Sequence, residues 1–333
     1  MKQTNLLAVL ALAATPAFLH AQTTSYSDIV GYQSSQLPVG LSSVALPLLN
    51  PDVVKTSVSS ASSTAVSLNG QSNVGSLLTS GEPYYVEIYS GPLKGDRFDV
   101  DTAATITAAN GTVVLVGSSS NNTYPVASIA SQLDGQTLAL RKHYTLSQVE
   151  SLFSSPVVAN NNPTLADQIS IFSAGSFTAY SRRTDGQWRK SGDTTNYAKL
   201  AIPPGAAILI NRRGSSTSIV STGSVRQNDF ARPYSAGLQF FAPATPADKS
   251  FIEYGVVPNA SGWVGNNNPT LSDQVLIFSG GSFTAYSLRA DGQIRKSGDT
   301  QNYANSALLT SDKGFLVKRA NANADLVETG LNP

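Results

Sequence analysis

Aromatic, cationic, carboxylate and amide side chains recur in the same order at two places in the chain. Aromatic rings stack on the faces of sugars, while carboxylates and amides bond to sugar hydroxyl groups. These residue types therefore point to carbohydrate binding, with Trp188 and Tyr197 as candidate stacking platforms. The candidate ligand-binding residues are Tyr180, Trp188, Arg189, Asp193, Asn196 and Tyr197 in the first stretch, and Tyr286, Arg295, Asp299, Asn302 and Tyr303 in the second.

The second stretch has Ile294 where the first has Trp188. If Trp188 stacked on a sugar, the two stretches would differ in function. The interpretation we favour is that Trp188 and Ile294 fill equivalent apolar positions.

Two cationic pairs, Arg189-Lys190 and Arg295-Lys296, are each followed by Ser-Gly-Asp. Such a pair can hold an anionic polymer. The alternative is a solvated strand face with a neighbouring aspartate as partner, an arrangement that contributes little to stability.

The residues that nucleophilic catalysis requires are scarce. Beyond residue 21 the only histidine is His143, and no Gly-x-Ser-x-Gly sequence precedes a predicted helix. Glycoside hydrolysis needs two carboxylates held across a cleft, and the spacing of the acidic residues indicates no such pair. We therefore predict that the chain is not an enzyme, with no catalytic residues assigned.

Metal ligands are equally limited. One histidine and no cysteine cannot build a zinc site without several carboxylates, so no cofactor is predicted. Calcium stays open because it accepts oxygen ligands. For Asp167 and Asp273 we favour the capping of backbone amides. The oxygen clusters considered are Asp96, Asp99 and Asp101, and the two loops that hold Asp167, Asp193 and Asn196, and Asp273, Asp299 and Asn302.

These candidate residues lie in a 39-residue segment that occurs twice, at 160–198 and 266–304, with about 31 identical positions. Its apolar runs predict strands at 168–172, 177–183 and 187–190, and a last strand follows near Ile208. Asp185-Gly186 predicts a hairpin turn whose two central residues both have positive φ. Each copy is thus an antiparallel meander of about four strands.

Other segments also read as strands. Residues 28–48 predict two short strands around a turn, and Tyr84–Tyr89 is aromatic and β-branched. Asn110-Gly111 predicts a hairpin between strands at 103–107 and 112–116. One helix is predicted from the capping-box spacing at Thr145, ending near Pro156.

These patterns predict an all-β fold. We expect two related antiparallel β-sandwich or partly open barrel units from an internal duplication, with one short helix. A β-trefoil would need three similar units, and the sequence contains two. The predicted organisation is a signal peptide at 1–21, a first β unit at 22–222 with inserted hairpins at about 65–158, and a second β unit at 223–333.

The amino terminus predicts export. Lys2 precedes a short apolar run, and Ala21 offers a small residue at the cleavage site. The chain has 22 basic and 21 acidic residues, so removing Lys2 with the leader leaves a neutral protein. A neutral protein has no overall field to attract nucleic acid or anionic lipid. We expect an outer-surface, periplasmic or extracellular protein without a transmembrane segment, with glycans or other surface proteins as partners.

Several short motifs are spread along the chain after the leader. They are Tyr84-Tyr85-Val86-Glu87, Ser90-Gly91-Pro92, Gly95-Asp96-Arg97-Phe98, His143-Tyr144-Thr145-Leu146, Leu152-Phe153, Asp167-Gln168, Ser176-Phe177-Thr178-Ala179-Tyr180, Pro203-Pro204-Gly205 and Arg212-Arg213. Together they resemble an uncharacterised family of exported, β-rich bacterial proteins of unknown function. The resemblance covers most of the chain after the leader, and it implies export and β-structure without a mechanism.

The function predicted from the sequence is a non-catalytic, exported structural or adhesion protein of the cell surface. The alternative is a carbohydrate-binding module, and a glycan-active hydrolase is a third, weaker hypothesis.

Overall fold

The computed structural model describes residues 29–119, 121–234, 236–257, 262–320, 324–328 and 330, so the predicted leader at 1–21 lies outside it. The helices are α1 (Thr102–Thr107), α2 (Val126–Ile129) and α3 (Leu146–Ser151). The strands are β1 (Val30–Leu37), β2 (Gly40–Val44), β3 (Asp52–Ala61), β4 (Ala65–Leu68), β5 (Tyr84–Ile88), β6 (Arg97–Val100), β7 (Thr112–Val114), β8 (Thr137–Lys142), β9 (Tyr144–Thr145), β10 (Gln168–Ser173), β11 (Ser176–Arg182), β12 (Trp188–Lys190), β13 (Ala201–Ile202), β14 (Ile208–Arg212), β15 (Thr217–Ser224), β16 (Phe230–Tyr234), β17 (Gly237–Phe241), β18 (Gln274–Ser279), β19 (Ser282–Leu288), β20 (Ile294–Lys296), β21 (Phe315–Arg319) and β22 (Ala324–Glu328).

These elements confirm the predicted all-β class. The first five-stranded sheet has the order β12-β11-β10-β14-β2, and the second has the order β20-β19-β18-β21-β17. The registers also correspond, because Ile169 lies opposite Tyr180 in the first sheet and Val275 lies opposite Tyr286 in the second. The repeated segment therefore forms the same three strands in each sheet. Duplication as the origin of this likeness stays a prediction.

The two five-stranded sheets pack against each other through alternate residues of their strands. Leu209 and Leu316 lie in this shared core together with a group of phenylalanines. The Phe240 ring is 5.2 Å from that of Phe177 and 6.1 Å from that of Phe283. Because side chains alternate along a strand, the neighbouring residues face the other way and form a separate core in each unit. Ile169, Trp188 and Ile210 belong to the first of these cores, and Val275, Ile294 and Val317 to the second.

The backbone contacts between the two sheets are reciprocal. The Ala45 amide, just after β2, donates to the Asp312 carbonyl at 2.9 Å, and the Ala242 amide, just after β17, donates to the Gly205 carbonyl at 2.8 Å. Each acceptor lies three residues before the second strand from one edge of the opposite sheet, β21 or β14. The two sheets are thus joined by matching bonds, as an approximate two-fold arrangement requires.

A third sheet, of six strands, has the order β6-β5-β8-β3-β4-β7. One face carries a hydrophobic core that includes Val86, Phe98 and Leu140. The sheet begins at Asp52, upstream of the predicted insertion at about 65, whereas α3 packs in the core of the first unit through Leu146.

The other face of the six-stranded sheet is polar and is covered by residues 226–232. Glu87 on β5 pairs with Arg226, and both side chains are 1% exposed. The guanidinium groups of Arg97, Arg226 and Arg232 surround the Phe230 ring at 4.3, 4.4 and 4.8 Å from its centre. We call these three arginines with Phe230 the arginine layer. It joins the six-stranded sheet to the start of the second unit.

The hairpin predicted between residues 103 and 116 is wrong. Residues 102–107 form helix α1, because the Asp101 side chain accepts the Ala104 amide at 2.9 Å and caps the helix. The turn chemistry is nevertheless used, since Asn110 and Gly111 have φ angles of 57° and 68°. The Asn-Gly pair therefore links a helix to β7 rather than two strands.

The predicted turn type at Asp185-Gly186 is also wrong. Only Gly186 has a positive φ, of 84°. The Asp185 side chain accepts the Gln187 amide at 3.0 Å, which stabilises the turn with Asp185 at negative φ. Two consecutive residues with positive φ occur instead at Ala174-Gly175, with 50° and 82°, and at Gly280-Gly281, with 58° and 84°.

The capping box at the predicted helix α3 is confirmed. The Thr145 side chain accepts the Gln148 amide, and the Gln148 side chain accepts the Thr145 amide. Leu146 and Val149 are buried on one helical face. The helix ends at Ser151, earlier than predicted, because the chain then enters a bridge between Phe153 and Ile219.

Candidate functional site

The aspartate and the tyrosine of each repeated loop bond to each other. The Tyr197 hydroxyl donates to Asp193 at 2.6 Å, and the Tyr303 hydroxyl donates to Asp299 at 2.7 Å. The second oxygen of each carboxylate accepts a backbone amide, from Thr195 at 2.8 Å and from Gln301 at 2.9 Å. Both carboxylates are therefore used to hold the shape of their own loops.

The repeated asparagines serve the backbone in the same way. The Asn196 side-chain oxygen accepts the amides of Trp188 at 3.3 Å and Ala198 at 3.0 Å. In the second copy, Asn302 accepts the amides of Ile294 and Ala304, both at 3.1 Å. Each asparagine thus fastens its loop to β12 or β20.

Hydrogen bonds control the ionisation of these loops. The bond from the Tyr197 hydroxyl, followed by the Thr195 amide, lowers the pKa of Asp193 far below its ordinary value. The Gln301 amide, followed by the Tyr303 hydroxyl, lowers the pKa of Asp299. The bond between Tyr303 and Asp299 also raises the pKa of the Tyr303 hydroxyl. Both aspartates are therefore ionised at neutral pH, and in the second loop the Tyr303 hydroxyl keeps its proton.

Trp188 does not offer a ring to solvent. It is 1% exposed, and its indole nitrogen donates to Glu150 on α3 at 2.8 Å. Glu150 also accepts the Arg182 side chain at 2.7 Å. In the second copy both partners of Glu150 are replaced, since Leu288 and Ile294 occupy the positions of Arg182 and Trp188 and are buried. Trp188 and Ile294 thus fill equivalent buried positions in the two copies, and Trp188 is not placed to stack on a sugar.

The tyrosines of the candidate set pack on one another. The Tyr180 and Tyr197 rings are 5.0 Å apart, and the Tyr286 and Tyr303 rings are 5.2 Å apart. The structure therefore brings together the tyrosine, aspartate and asparagine of each loop, separately in each copy.

The cationic side chains differ between the copies. In the first copy Arg189 pairs with Asp185 at 2.7 Å, and Lys190 pairs with Asp193 at 3.3 Å. In the second copy Arg295 lies 3.6 Å from Asp291, and no ion pair reaches Lys296 within the described part of the chain. A sequence match of 31 in 39 positions thus conceals a different charge environment.

A cleft of about 240 Å³ lies beside these cations in the second copy. We call it the cationic cleft. The sequence pattern already indicated Arg295 and Lys296 as a cationic pair, but it did not indicate the contribution of Arg289. The signal was present, because position 184 is threonine in the first copy and position 290 is alanine in the second. The residues that define the cationic cleft are Ser287, Arg289, Arg295, Lys296, Ser297 and Asp299.

Asp167 and Asp273 are buried partners of arginines. Asp167 bonds to Arg212 and accepts the Arg213 amide at 2.6 Å. Asp273 lies 3.0 Å from Arg319 and accepts the Ala320 amide at 2.6 Å. Both also accept an upstream amide at 2.9 Å, from Val158 and Val264. The favoured capping role therefore describes these contacts, with an arginine added in each copy.

The third oxygen cluster, which holds Asp96, Asp99 and Asp101, is divided among separate tasks. Asp101 caps α1. Asp99 accepts hydrogen bonds from the Ser119 hydroxyl at 2.7 Å and from the side-chain amide of Asn121 at 2.9 Å. Among the described residues, no group of three or more histidine, aspartate or glutamate side chains is arranged to hold a metal ion.

His143 is buried beside Asp99. Its Nε2 lies 3.0 Å from an oxygen of Asp99, and its ring centre lies 4.6 Å from that of Tyr85. The Ser119 hydroxyl contacts the other oxygen of the same carboxylate, rather than the histidine. The serine, histidine and aspartate thus lack the relay geometry of a nucleophilic triad.

The Asp99 environment predicts an acid-sensitive contribution to stability. Burial alone would raise the pKa of Asp99, but the bonds from His143, Ser119 and Asn121 outweigh it and lower that pKa. A lowered carboxyl pKa stabilises the fold above the unfolded pKa, and this contribution is lost as the pH falls through the folded pKa. We expect the free energy of unfolding to decrease as the pH drops below about 4, and to decrease less steeply in the Asp99→Asn variant.

The measurement is urea unfolding between about pH 5 and pH 2. Asp134→Asn is the control, because that side chain is exposed. Parallel pH profiles for Asp99→Asn and the parent protein would contradict the assignment.

No protein-family model, no curated protein and no solved structure matches the chain. Among the described residues, no helix has both the length and the apolar character that crossing a bilayer demands.

Proposed function

We propose that the chain is an exported, non-catalytic structural or adhesion protein of the cell surface. The observation that carries this proposal is the matching use of polar residues in the two copies. Asp193 and Asn196, like Asp299 and Asn302, hold their loops through internal hydrogen bonds. A catalytic side chain needs a polar atom that is free to contact the substrate. The side-chain oxygens of these residues instead accept hydrogen bonds within their own loops, which makes the loops rigid.

Rigid, paired β-sheets suit a mechanical or display role. The buried pairs Asp167–Arg212 and Asp273–Arg319 tie the start of each repeat to a neighbouring strand of its sheet, β14 or β21. Export is supported by the leader-like residues at 1–21 and by the neutral, weakly charged composition, with 13% charged residues. The resemblance to exported β-rich proteins points the same way.

The test is to express the full chain in a bacterial host and to follow its location, its amino terminus and its action on polysaccharides. We expect the protein outside the cytoplasm with Gln22 as the first residue, and polysaccharides left uncleaved. A Leu6→Asp variant, which interrupts the apolar run, should stay inside. A parent chain that stays cytoplasmic would overturn the export proposal, and polysaccharide turnover that survives repurification would overturn the non-catalytic role.

Carbohydrate binding is the second candidate, and the cationic cleft is the observation that favours it. Stacking on Trp188 does not support it, because that ring is buried. A sugar would instead meet the charged and hydroxyl groups of the cleft in the second copy. Binding of uncharged glycans to both copies alike would favour a general carbohydrate-binding module.

A further inference from the structure

We propose that the cationic cleft binds an oxyanion, a carboxylate or sulfate group carried by an acidic polysaccharide. This inference goes beyond the structural or adhesion role and holds whether or not the protein acts in adhesion. The cleft brings together two guanidinium groups, from Arg289 and Arg295, and the ammonium group of Lys296. Guanidinium and ammonium groups bind oxyanions through charge-assisted hydrogen bonds, which are about twice as strong as neutral ones.

The first copy shows how the same cations behave when they are neutralised. The Arg183 guanidinium donates through Nη1 to the Asn161 carbonyl, and the Thr184 hydroxyl fixes the Asn161 side chain at 2.9 Å. Arg189 and Lys190 each pair with an aspartate. Every cation of this copy thus has a protein partner.

In the second copy two cations, Arg289 and Lys296, have no ion-pair partner among the described residues. Ala290 replaces Thr184 and has no hydroxyl to fix the neighbouring asparagine. Among the described residues, no hydrogen bond or ion pair reaches the Arg289 side chain, and its Nε is buried. The Nε of Arg183 is also unbonded, so the difference between the copies lies at the outer nitrogens of the guanidinium. The outer nitrogens of Arg289, which have no bond to any described residue, can therefore donate charge-assisted hydrogen bonds to a ligand oxygen.

The carboxylate at the rim does not neutralise the cleft. Both oxygens of Asp299 accept hydrogen bonds, from Tyr303 and from the Gln301 amide. Arg295 donates its shortest hydrogen bond, of 2.6 Å, to the neutral side-chain amide of Gln293. Its acidic neighbour Asp291 lies farther away, at 3.6 Å, and is half exposed. Three cations therefore face two carboxylates, Asp291 and Asp299, so the net charge beside the cleft stays positive.

The shape and polarity of the cleft favour a sugar-borne oxyanion over nucleic acid. Its volume of about 240 Å³ is small for a ligand site and suits one charged sugar unit. Hydroxyl groups of Ser287 and Ser297 line it beside the cations. Nucleic-acid binding draws instead on many phosphate contacts and on exposed rings that stack on bases. The chain is nearly neutral, and the Tyr303 ring packs on Tyr286.

The repeat supplies a matched experiment. Binding of oligogalacturonate, dextran sulfate, uncharged dextran and single-stranded DNA to the full chain is measured by calorimetry at low salt. The test variant is Arg289→Gln with Lys296→Gln, and the control is Arg183→Gln with Lys190→Gln in the first copy. Circular dichroism checks that both variants stay folded.

We expect saturable binding of an acidic polysaccharide, weakened at least about tenfold in the test variant and less than about twofold in the control, because only the second copy has unpaired cations. Binding should also weaken as salt is added, since the contacts are partly exposed. Tighter binding of oligogalacturonate would identify a carboxylate ligand, and tighter binding of dextran sulfate would identify a sulfate ligand.

Three results would overturn the inference. The first is no saturable binding of either acidic polysaccharide. The second is an equal loss of affinity in the two variants. The third is tighter binding of single-stranded DNA than of both polysaccharides, which would assign the cleft to nucleic acid.

Discussion

Asp273→Ala is expected to lower the free energy of unfolding by about 3–5 kcal/mol, because it leaves a buried arginine without its charge partner. The Asp273 and Arg319 side chains are each at most 1% exposed and lie 3.0 Å apart. The same carboxylate accepts the amides of Val264 and Ala320 at 2.9 and 2.6 Å. One substitution thus removes an ion pair and two backbone contacts that join the start of the repeat to β21.

Urea unfolding of the variant and the parent protein measures this loss. Asp134→Ala is the control, since that side chain is exposed and makes no ion pair within the described residues. We expect the control to change the free energy by less than about 0.5 kcal/mol. Asp167→Ala should behave like Asp273→Ala, because its contacts are equivalent. A loss no larger than that of the control would show that the buried pair is not a structural tie.

Local patterns in the sequence were sufficient to predict the strands of the repeat. Alternating apolar residues and glycine turns recur in both copies, and β10 and β11 begin within a residue of the predicted positions. The capping box at Thr145 likewise depends only on neighbouring residues. Where two local patterns compete, prediction is weaker, as at 102–107, where the Asp101 cap overrides the hairpin tendency of Asn110-Gly111.

Contacts between distant residues decided what the sequence could not. Asp273 and Arg319 are 46 residues apart in the sequence, so their spacing alone cannot show that they pair. Whether Trp188 is a platform or a core residue depends on Glu150, which lies 38 residues upstream. The cationic cleft depends on which arginines have partners, and nearly identical segments differ in that respect.

The arginine layer shows how the six-stranded sheet is held to the start of the second unit. The Arg97 side chain on β6 donates to the Ala231 carbonyl at 2.7 Å, and Asn228 donates to the Ile88 carbonyl at 2.7 Å. Burial, followed by the charge of Arg232, lowers the pKa of Arg97 to about 10. Burial likewise lowers the pKa of Arg226 to about 10. Buried arginines therefore join the six-stranded sheet to the second unit. Because burying a charge is costly, the acidic side chains paired with these arginines contribute to the stability of the fold.

Arg226→Ala is expected to lower the free energy of unfolding by about 3–5 kcal/mol, because Glu87 would stay buried without a partner. Both side chains are 1% exposed, and the pair links β5 to the segment that leads into β16. The substitution also removes a guanidinium 4.4 Å from the centre of the Phe230 ring, a favourable contact in its own right. Chemical unfolding followed by fluorescence and circular dichroism measures the change.

A double variant separates the cost of an orphaned charge from the value of the ion pair. When Arg226→Met is combined with Glu87→Leu, both charges are removed and apolar volume is retained. Replacing a buried pair in this way is often neutral or stabilising, so we expect the double variant to lie within about 1–2 kcal/mol of the parent. Costs that simply add would show instead that each side chain acts through packing, and that the pair is not what joins the six-stranded sheet to the second unit.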